Sequence, residues 1–82
     1  MADIIVFTLE TCPRCEQIKS AMLDAGIEFE EMRMDTAEGI TELRINQCFA
    51  TEAPVVHFQG AMLETKDLFV KDQVVRFWED GL

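Results

Sequence analysis

Nowhere in these 82 residues does an apolar run approach the roughly 18–20 residues that a bilayer-spanning helix needs. The stretch Ile4-Ile5-Val6-Phe7 near the start ends almost at once, so no membrane span is expected. Basic residues are scarce: seven Lys and Arg stand against 16 Asp and Glu, for a formal net charge of -9. That charge repels phosphate backbones and anionic headgroups alike, which excludes nucleic acid and membrane surfaces as expected partners and favours neutral or basic protein surfaces. Cysteine is present only three times, an odd number that argues against a secreted disulfide framework. Met1-Ala2-Asp3 lacks the basic segment, apolar stretch and small-residue cleavage site of an export signal, so the cytoplasm is the expected location. No internal repeat, linker or low-complexity segment divides the chain. A polypeptide this short buries only about 60% of its unfolded surface, which allows one modest core. A single domain over residues 1–82 is expected, monomeric by default, with no room for a large-cofactor domain and no tightly bound cofactor.

What is present has an alternating strand and helix pattern. Ile4-Ile5-Val6-Phe7-Thr8 is β-branched and aromatic without polar alternation, as in a strand buried on both faces. Pro13 suits a first helical turn, and Cys15, Ile18, Met22 and Ala25 recur at helical spacing towards a stop at Gly26. Ile27-Glu28-Phe29-Glu30 alternates, Glu30-Glu31 breaks the phase and Met32-Arg33-Met34 resumes it, which predicts a strand with a bulge and solvent-facing charges. Asp35 or Thr36 can cap a second helix whose inward stripe is Ile40 and Leu43, extended by Cys48 and Phe49, with Gly39 weakening its first turn. Pro54-Val55-Val56-His57-Phe58 and Ala61-Met62-Leu63 flank Gln59-Gly60, the signature of a tight hairpin. Leu68, Phe69, Val74, Val75, Phe77 and Trp78 supply the apolar side of one last helix, with Asp67 near its start. The methionines and Trp78 read as core, and so does Cys48. The order β-α-β-α-β-β-α, with a right-handed crossover between the first two strands, predicts an α/β fold: a four-stranded mixed sheet carrying three helices.

The chemistry concentrates in Cys12-Pro13-Arg14-Cys15, directly after the first strand and at the start of a helix. Unpaired backbone N–H groups and the helix dipole at such a position stabilise a thiolate, with pKa values of roughly 3.5–7.5 against about 8.5 for a free thiol. Cys12 is therefore the expected nucleophile. Cys15, one turn deeper on the inward face, is placed to resolve a mixed disulfide. Arg14 favours the thiolate, while Glu10 and Glu16 oppose it. A zinc site built on this pair would need Cys48 and His57 as further ligands, at a spacing that matches no paired-ligand motif. No metal ligand is assigned, and His57 reads as a strand residue with a local hydrogen bond. A redoxin that binds an iron-sulfur cluster or a metal through Cys12 stands as the alternative function, opposed in part by the stiffness that Pro13 gives the loop. A second element is Glu52-Ala53-Pro54, opening a strand expected beside the first. A cis bond at Pro54 would expose the backbone of Ala53 beside Cys12, free to pair with an extended substrate.

Taken together, Phe7-Thr8, Thr11-Cys12-Pro13-Arg14-Cys15, Ala53-Pro54-Val55-Val56 and Lys66-Asp67-Leu68 resemble the glutaredoxin-like branch of the thioredoxin fold. The resemblance covers nearly the whole chain. It implies a thiol-disulfide oxidoreductase acting on disulfide-containing proteins, with Cys12 as nucleophile, Cys15 as resolving thiol and Pro54 as the cis-proline of a substrate groove. Pro13, Arg14, Glu52, Ala53 and Asp67 complete the implied binding residues, Asp67 standing where the family binds a glutathione carboxylate. Three stretches depart from the family pattern. Glutaredoxins usually carry a basic residue before the first cysteine, Thr-Val before the cis-proline and a glycine pair before the final aspartate. Here these read Leu9-Glu10, Glu52-Ala53 and Glu64-Thr65-Lys66-Asp67. Ala53-Pro54-Val55-Val56 is also similar to the glutaredoxin-like electron donors of ribonucleotide reductase, although their tryptophan-containing stretch after the hairpin is absent. The implied reductant is accordingly either glutathione or a flavoprotein thioredoxin reductase.

Overall fold

The computed structural model describes residues 4–49 and 52–81. Strand β1, Ile4–Thr8, lies inside a four-stranded sheet, because its residues are apolar towards both sides. β2, Glu30–Arg33, pairs with it in parallel, and β3, Val55–Phe58, pairs antiparallel on the other edge. β4, Ala61–Leu63, follows β3, for the order β2-β1-β3-β4. Alternation along β1 splits the core. Ile4 and Val6 join Ile18, Met22, Val56, Phe58, Leu68 and Trp78 on one face, while Phe7 joins Met34, Leu43, Cys48 and Val55 on the other. The expected α/β class and mixed sheet are both present.

Helix α1, Pro13–Asp24, carries Pro13 in its first turn and buries Cys15, Ile18 and Met22 against the sheet. It stops where predicted. Gly26 takes φ +73°, its N–H reaching the Leu23 carbonyl at 3.0 Å while the Ile27 N–H reaches Met22 at 2.9 Å, the reversal that glycine permits at a helix end. β2 is shorter than the Ile27–Met34 strand expected, and its ladder to β1 runs in register from Ile5↔Glu30 to Thr8↔Arg33 without a bulge. Ile27 and Phe29 instead pack against the first core from the preceding loop.

Helix α2, Ala37–Ile45, is capped by Thr36 rather than Asp35, its hydroxyl accepting the Gly39 N–H at 3.1 Å. The inward stripe differs from expectation: Leu43 and Cys48 are buried, but Ile40 is 40% and Phe49 74% exposed. Gly39 takes the inward position one turn before Leu43. A Cβ there would collide with the Arg33 carbonyl oxygen, so the glycine that weakens the turn is also what lets the helix sit against β2.

Gln59 and Gly60 turn the β3–β4 hairpin with φ of 50° and 79°, the left-handed pair that matches strand twist. The single last helix does not form. In its place come α3, Thr65–Leu68, then β5, Phe69–Val70, paired antiparallel with β6, Gln73–Val74, then α4, Phe77–Gly81. Lys71 and Asp72 both adopt left-handed φ, 52° and 64°, closing a second hairpin, and β-branched Val70, Val74 and Val75 lose little by leaving the helix. Leu68, Phe69 and Trp78 still reach the core. Met22 and Met34 are buried and Met32 and Met62 partly so, whereas Met1 lies outside the described residues. Among the described residues, no helix is long and apolar enough to cross a membrane.

Candidate active site

The end of β1 delivers the chain to Cys12 through Leu9-Glu10-Thr11, with Thr11 in a left-handed conformation at φ 55°. This is an uncommon position for a β-branched residue, and it turns the chain sharply into α1. Cys12 is the N-cap of that helix. Its Sγ accepts the backbone N–H of Cys15 at 3.1 Å, so sulfur fills the place a capping oxygen usually takes. The two cysteines are joined in a disulfide. Cys15 is 1% exposed, while Cys12 is only half-buried, so an incoming molecule meets Cys12 first.

Opposite the pair, the Ala53–Pro54 peptide is cis, and the Ala53 carbonyl oxygen lies 3.9 Å from Cys12 Sγ. Thr65, at the start of α3, donates its hydroxyl to the Pro54 carbonyl at 3.0 Å and holds this loop to α3. Nothing in the sequence singled out Thr65. An open groove of about 580 Å³ runs past Cys12, Pro13 and Arg14 on one wall and Glu52, Ala53 and Thr65 on the other. Of the residues expected from the motifs, Cys12, Pro13, Arg14, Glu52 and Ala53 line this groove, while Cys15 and Pro54 are buried and do not. Asp67 does not line the groove; its carboxylate accepts the Glu64 N–H at 3.1 Å across the first turn of α3. Arg14 lines the groove and has partners from outside the motif. Its guanidinium lies 3.2 Å from Asp72 Oδ1 and 5.5 Å from the centre of the Phe69 ring.

Behind the cysteines, a second cavity of about 420 Å³ is lined by both sulfur residues together with Thr8, Lys19, Glu31 and Arg33. Lys19 follows Cys15 by one helical turn and so shares its face of α1. Its ammonium is 3.1 Å from both Glu16 and Glu31, and Glu31 accepts the buried Thr8 hydroxyl at 2.9 Å. Desolvation pulls the Lys19 pKa down, but hydrogen bonds and charge from Glu16 and Glu31 outweigh it and leave the value above 10.5. For Glu31, desolvation raises the pKa, yet bonds from Lys19 and Thr8, with the charges of Lys19 and Arg33, bring it below 4.5.

The signs give a pH prediction. A carboxylate whose folded pKa is depressed stabilises the fold above its unfolded pKa, and that contribution is lost as pH falls through the folded value. Glu31→Gln should therefore be less stable than the parent at pH 7, and the difference should shrink below pH 4.5 towards zero. Urea unfolding of both proteins at pH 7 and pH 3 checks this, and a difference independent of pH would refute it.

Cys48, the third cysteine, is buried in the second core cluster, and His57 is half-buried on β3 opposite Ile5 and Met62. Among the described residues, no three His, Cys, Asp or Glu side chains are grouped as a metal ion would need.

Comparison with known proteins bears on this arrangement directly. The Glutaredoxin family model matches residues 4–60, a span that contains both the cysteine pair and Ala53-Pro54. Glutaredoxin 3 of Escherichia coli strain K12 is 30% identical over 56 residues, 68% of this chain and 68% of its own length. Glutaredoxin 3 of Escherichia coli O157:H7 matches with the same identity and coverage. A match across more than half of the chain, on a sheet and a cysteine-capped helix arranged as the motifs required, shows that the chain belongs to the glutaredoxin family of thiol oxidoreductases.

Proposed function

We propose that this chain reduces protein disulfides by dithiol exchange, with Cys12 as nucleophile and Cys15 as resolving thiol. The observation that carries the reading is the placement of Cys12 Sγ at the N-cap of α1, accepting the Cys15 N–H at 3.1 Å beside the Ala53 backbone. In the reduced protein that N–H and the helix N-terminus stabilise the Cys12 thiolate. The thiolate attacks one sulfur of a substrate disulfide, forming a mixed disulfide and releasing the first substrate thiolate. Cys15 then loses its proton to solvent and attacks Cys12 Sγ, closing the Cys12–Cys15 disulfide and releasing the second thiolate. Two electrons pass from the dithiol to the substrate. Ala53 offers its backbone to an extended substrate segment across the groove, between Pro13 and Arg14 on one side and Glu52 on the other.

An external donor must return those two electrons, either one dithiol of a reductase or two molecules of a monothiol such as glutathione. Two donors are candidates: glutathione, in keeping with membership of the glutaredoxin family, and a flavoprotein thioredoxin reductase, in keeping with the acidic Glu10 and Glu52 of the groove. A cytoplasmic monomer fits this role.

Cys15→Ser protein, presented with an oxidised protein substrate, should accumulate a covalent adduct through Cys12 that dithiothreitol releases. Intact mass after acid quenching reads this, and a failure to accumulate any adduct would sink the mechanism. The same readout on the oxidised parent protein in a glutathione buffer separates the reductants. A disulfide that stays closed supports the flavoprotein; conversion to dithiol through a glutathionylated form supports glutathione.

A further inference from the structure

Resting on that reading, we infer that the groove at Cys12 prefers disulfides flanked by positive charge, and that the β5–β6 hairpin sets this preference by neutralising Arg14. Three charged residues line the groove: Glu10, Arg14 and Glu52. Left to itself, Arg14 would offset one of the two carboxylates and offer a guanidinium to an anionic substrate. It is not left to itself. Asp72 Oδ1 lies 3.2 Å from its Nη2, and the Phe69 ring sits 5.5 Å below the guanidinium carbon. One partner occupies the charge and the other a face of the guanidinium plane.

Both partners come from the hairpin that replaces the expected last helix, with Asp72 in its turn at φ 64°. A continuous helix from Asp67 onwards would not build this turn. Of the cations on neighbouring segments, Arg33 has its Nη2 3.9 Å from Glu10 but 2.6 Å from Asp35, Lys19 is held between Glu16 and Glu31, and Lys66, next in sequence to Thr65, does not itself line the groove. Among the described residues no cation pairs with Glu52. The groove therefore presents net negative charge beside the attacking sulfur, within a protein of net charge -9. A lysine or arginine next to a substrate cystine gains from that field on approach, and a carboxylate is repelled. The same positive charge stabilises the thiolate that leaves.

Fully reduced protein is mixed with three symmetric peptide disulfides that carry Lys, Gln or Glu beside each cysteine, and single-turnover rates are read by acid quench and mass. Each rate is divided by that of dithiothreitol with the same peptide, which removes differences in leaving-thiol pKa. The Lys peptide should exceed the Glu peptide by about tenfold at low ionic strength, a ratio that collapses in high salt. Asp72→Asn retains a residue suited to the left-handed turn and should shrink the ratio by about two- to fivefold, the range of one exposed ion pair. Equal normalised rates for the three peptides would overturn the inference, as would an Asp72→Asn ratio identical to the parent's. Reduction of none of the peptides would instead overturn the exchange mechanism on which it rests.

Discussion

Replacing Cys12 with serine is expected to lower the rate of disulfide exchange on the order of a thousandfold or more, because the attacking atom itself is removed. A serine hydroxyl at the same N-cap would still accept the Cys15 N–H, so the helix should keep its cap and the protein its fold. That separation makes the variant informative, since activity falls while stability stays near that of the reduced parent, which likewise lacks the Cys12–Cys15 disulfide. Cys15→Ser differs in kind, because the first exchange proceeds and the second stops. Cys48→Ala supplies the control. Cys48 is buried among Phe7, Leu43 and Val55, away from the groove, and its loss should leave the exchange rate near that of the parent. Stopped exchange assays on the three variants, with unfolding curves alongside, test the assignment. A Cys12→Ser protein with appreciable activity would transfer the nucleophile's role to another residue.

The largest effect on stability is expected from Gly39→Ala. Intrinsic preference points the other way, since alanine is favoured over glycine inside a helix by about 1 kcal/mol. Tertiary packing should reverse the sign. A Cβ at position 39 meets the Arg33 carbonyl oxygen inside any possible contact distance, and the obstacle is backbone in a paired strand rather than the end of a flexible side chain. Relief requires α2 to move off β2 or Arg33 to leave its pairing with Thr8. Overpacking of this type costs about 1–3 kcal/mol and at times more, so a net loss of up to about 2 kcal/mol is expected after the propensity gain of about 1 kcal/mol is subtracted. For a domain at the lower end of the usual 5–15 kcal/mol range that is a large share. Chemical denaturation gives the answer, and a stabilised Gly39→Ala protein would show that α2 does not approach the strand so closely.

Local signals were readable where sequence neighbours alone decide the outcome. Pro13, the spacing of Cys15, Ile18 and Met22, and Gly26 define α1 almost to the residue, because helix start, buried face and stop are each set within a turn. Gln59-Gly60 marks its hairpin for the same reason. The cysteine pair and Pro54 were legible as chemistry. Their encounter was supported by the motif and completed by the sheet, which brings β3 beside β1 and the Ala53 carbonyl within 3.9 Å of Cys12 Sγ.

The last helix shows where such reading stops. Leu68, Phe69, Val74, Val75, Phe77 and Trp78 have an apolar spacing that suits a helix, and the succession α3, hairpin and α4 buries Leu68, Phe69 and Trp78 just as well. Periodicity over a few residues does not distinguish the two when β-branched side chains are frequent. Asp67 illustrates a related limit: the sequence puts it near the start of the last segment, and only the structure shows its carboxylate accepting the Glu64 N–H.

By itself the sequence determined the α/β class, the redox-active pair and the acidic character of the chain, because strand and helix periods, the helix-start position of Cys12 and net charge are all local or additive properties. Tertiary structure alone decided that Gly39 is a packing requirement, that Thr65 anchors the Pro54 loop, that Lys19 and Glu31 line the cavity behind Cys15, and that Asp72 pairs with Arg14 from 58 residues away. Each of those depends on which surfaces come into contact, and an encounter between distant segments is set by the packing of the whole chain rather than by the composition of either segment.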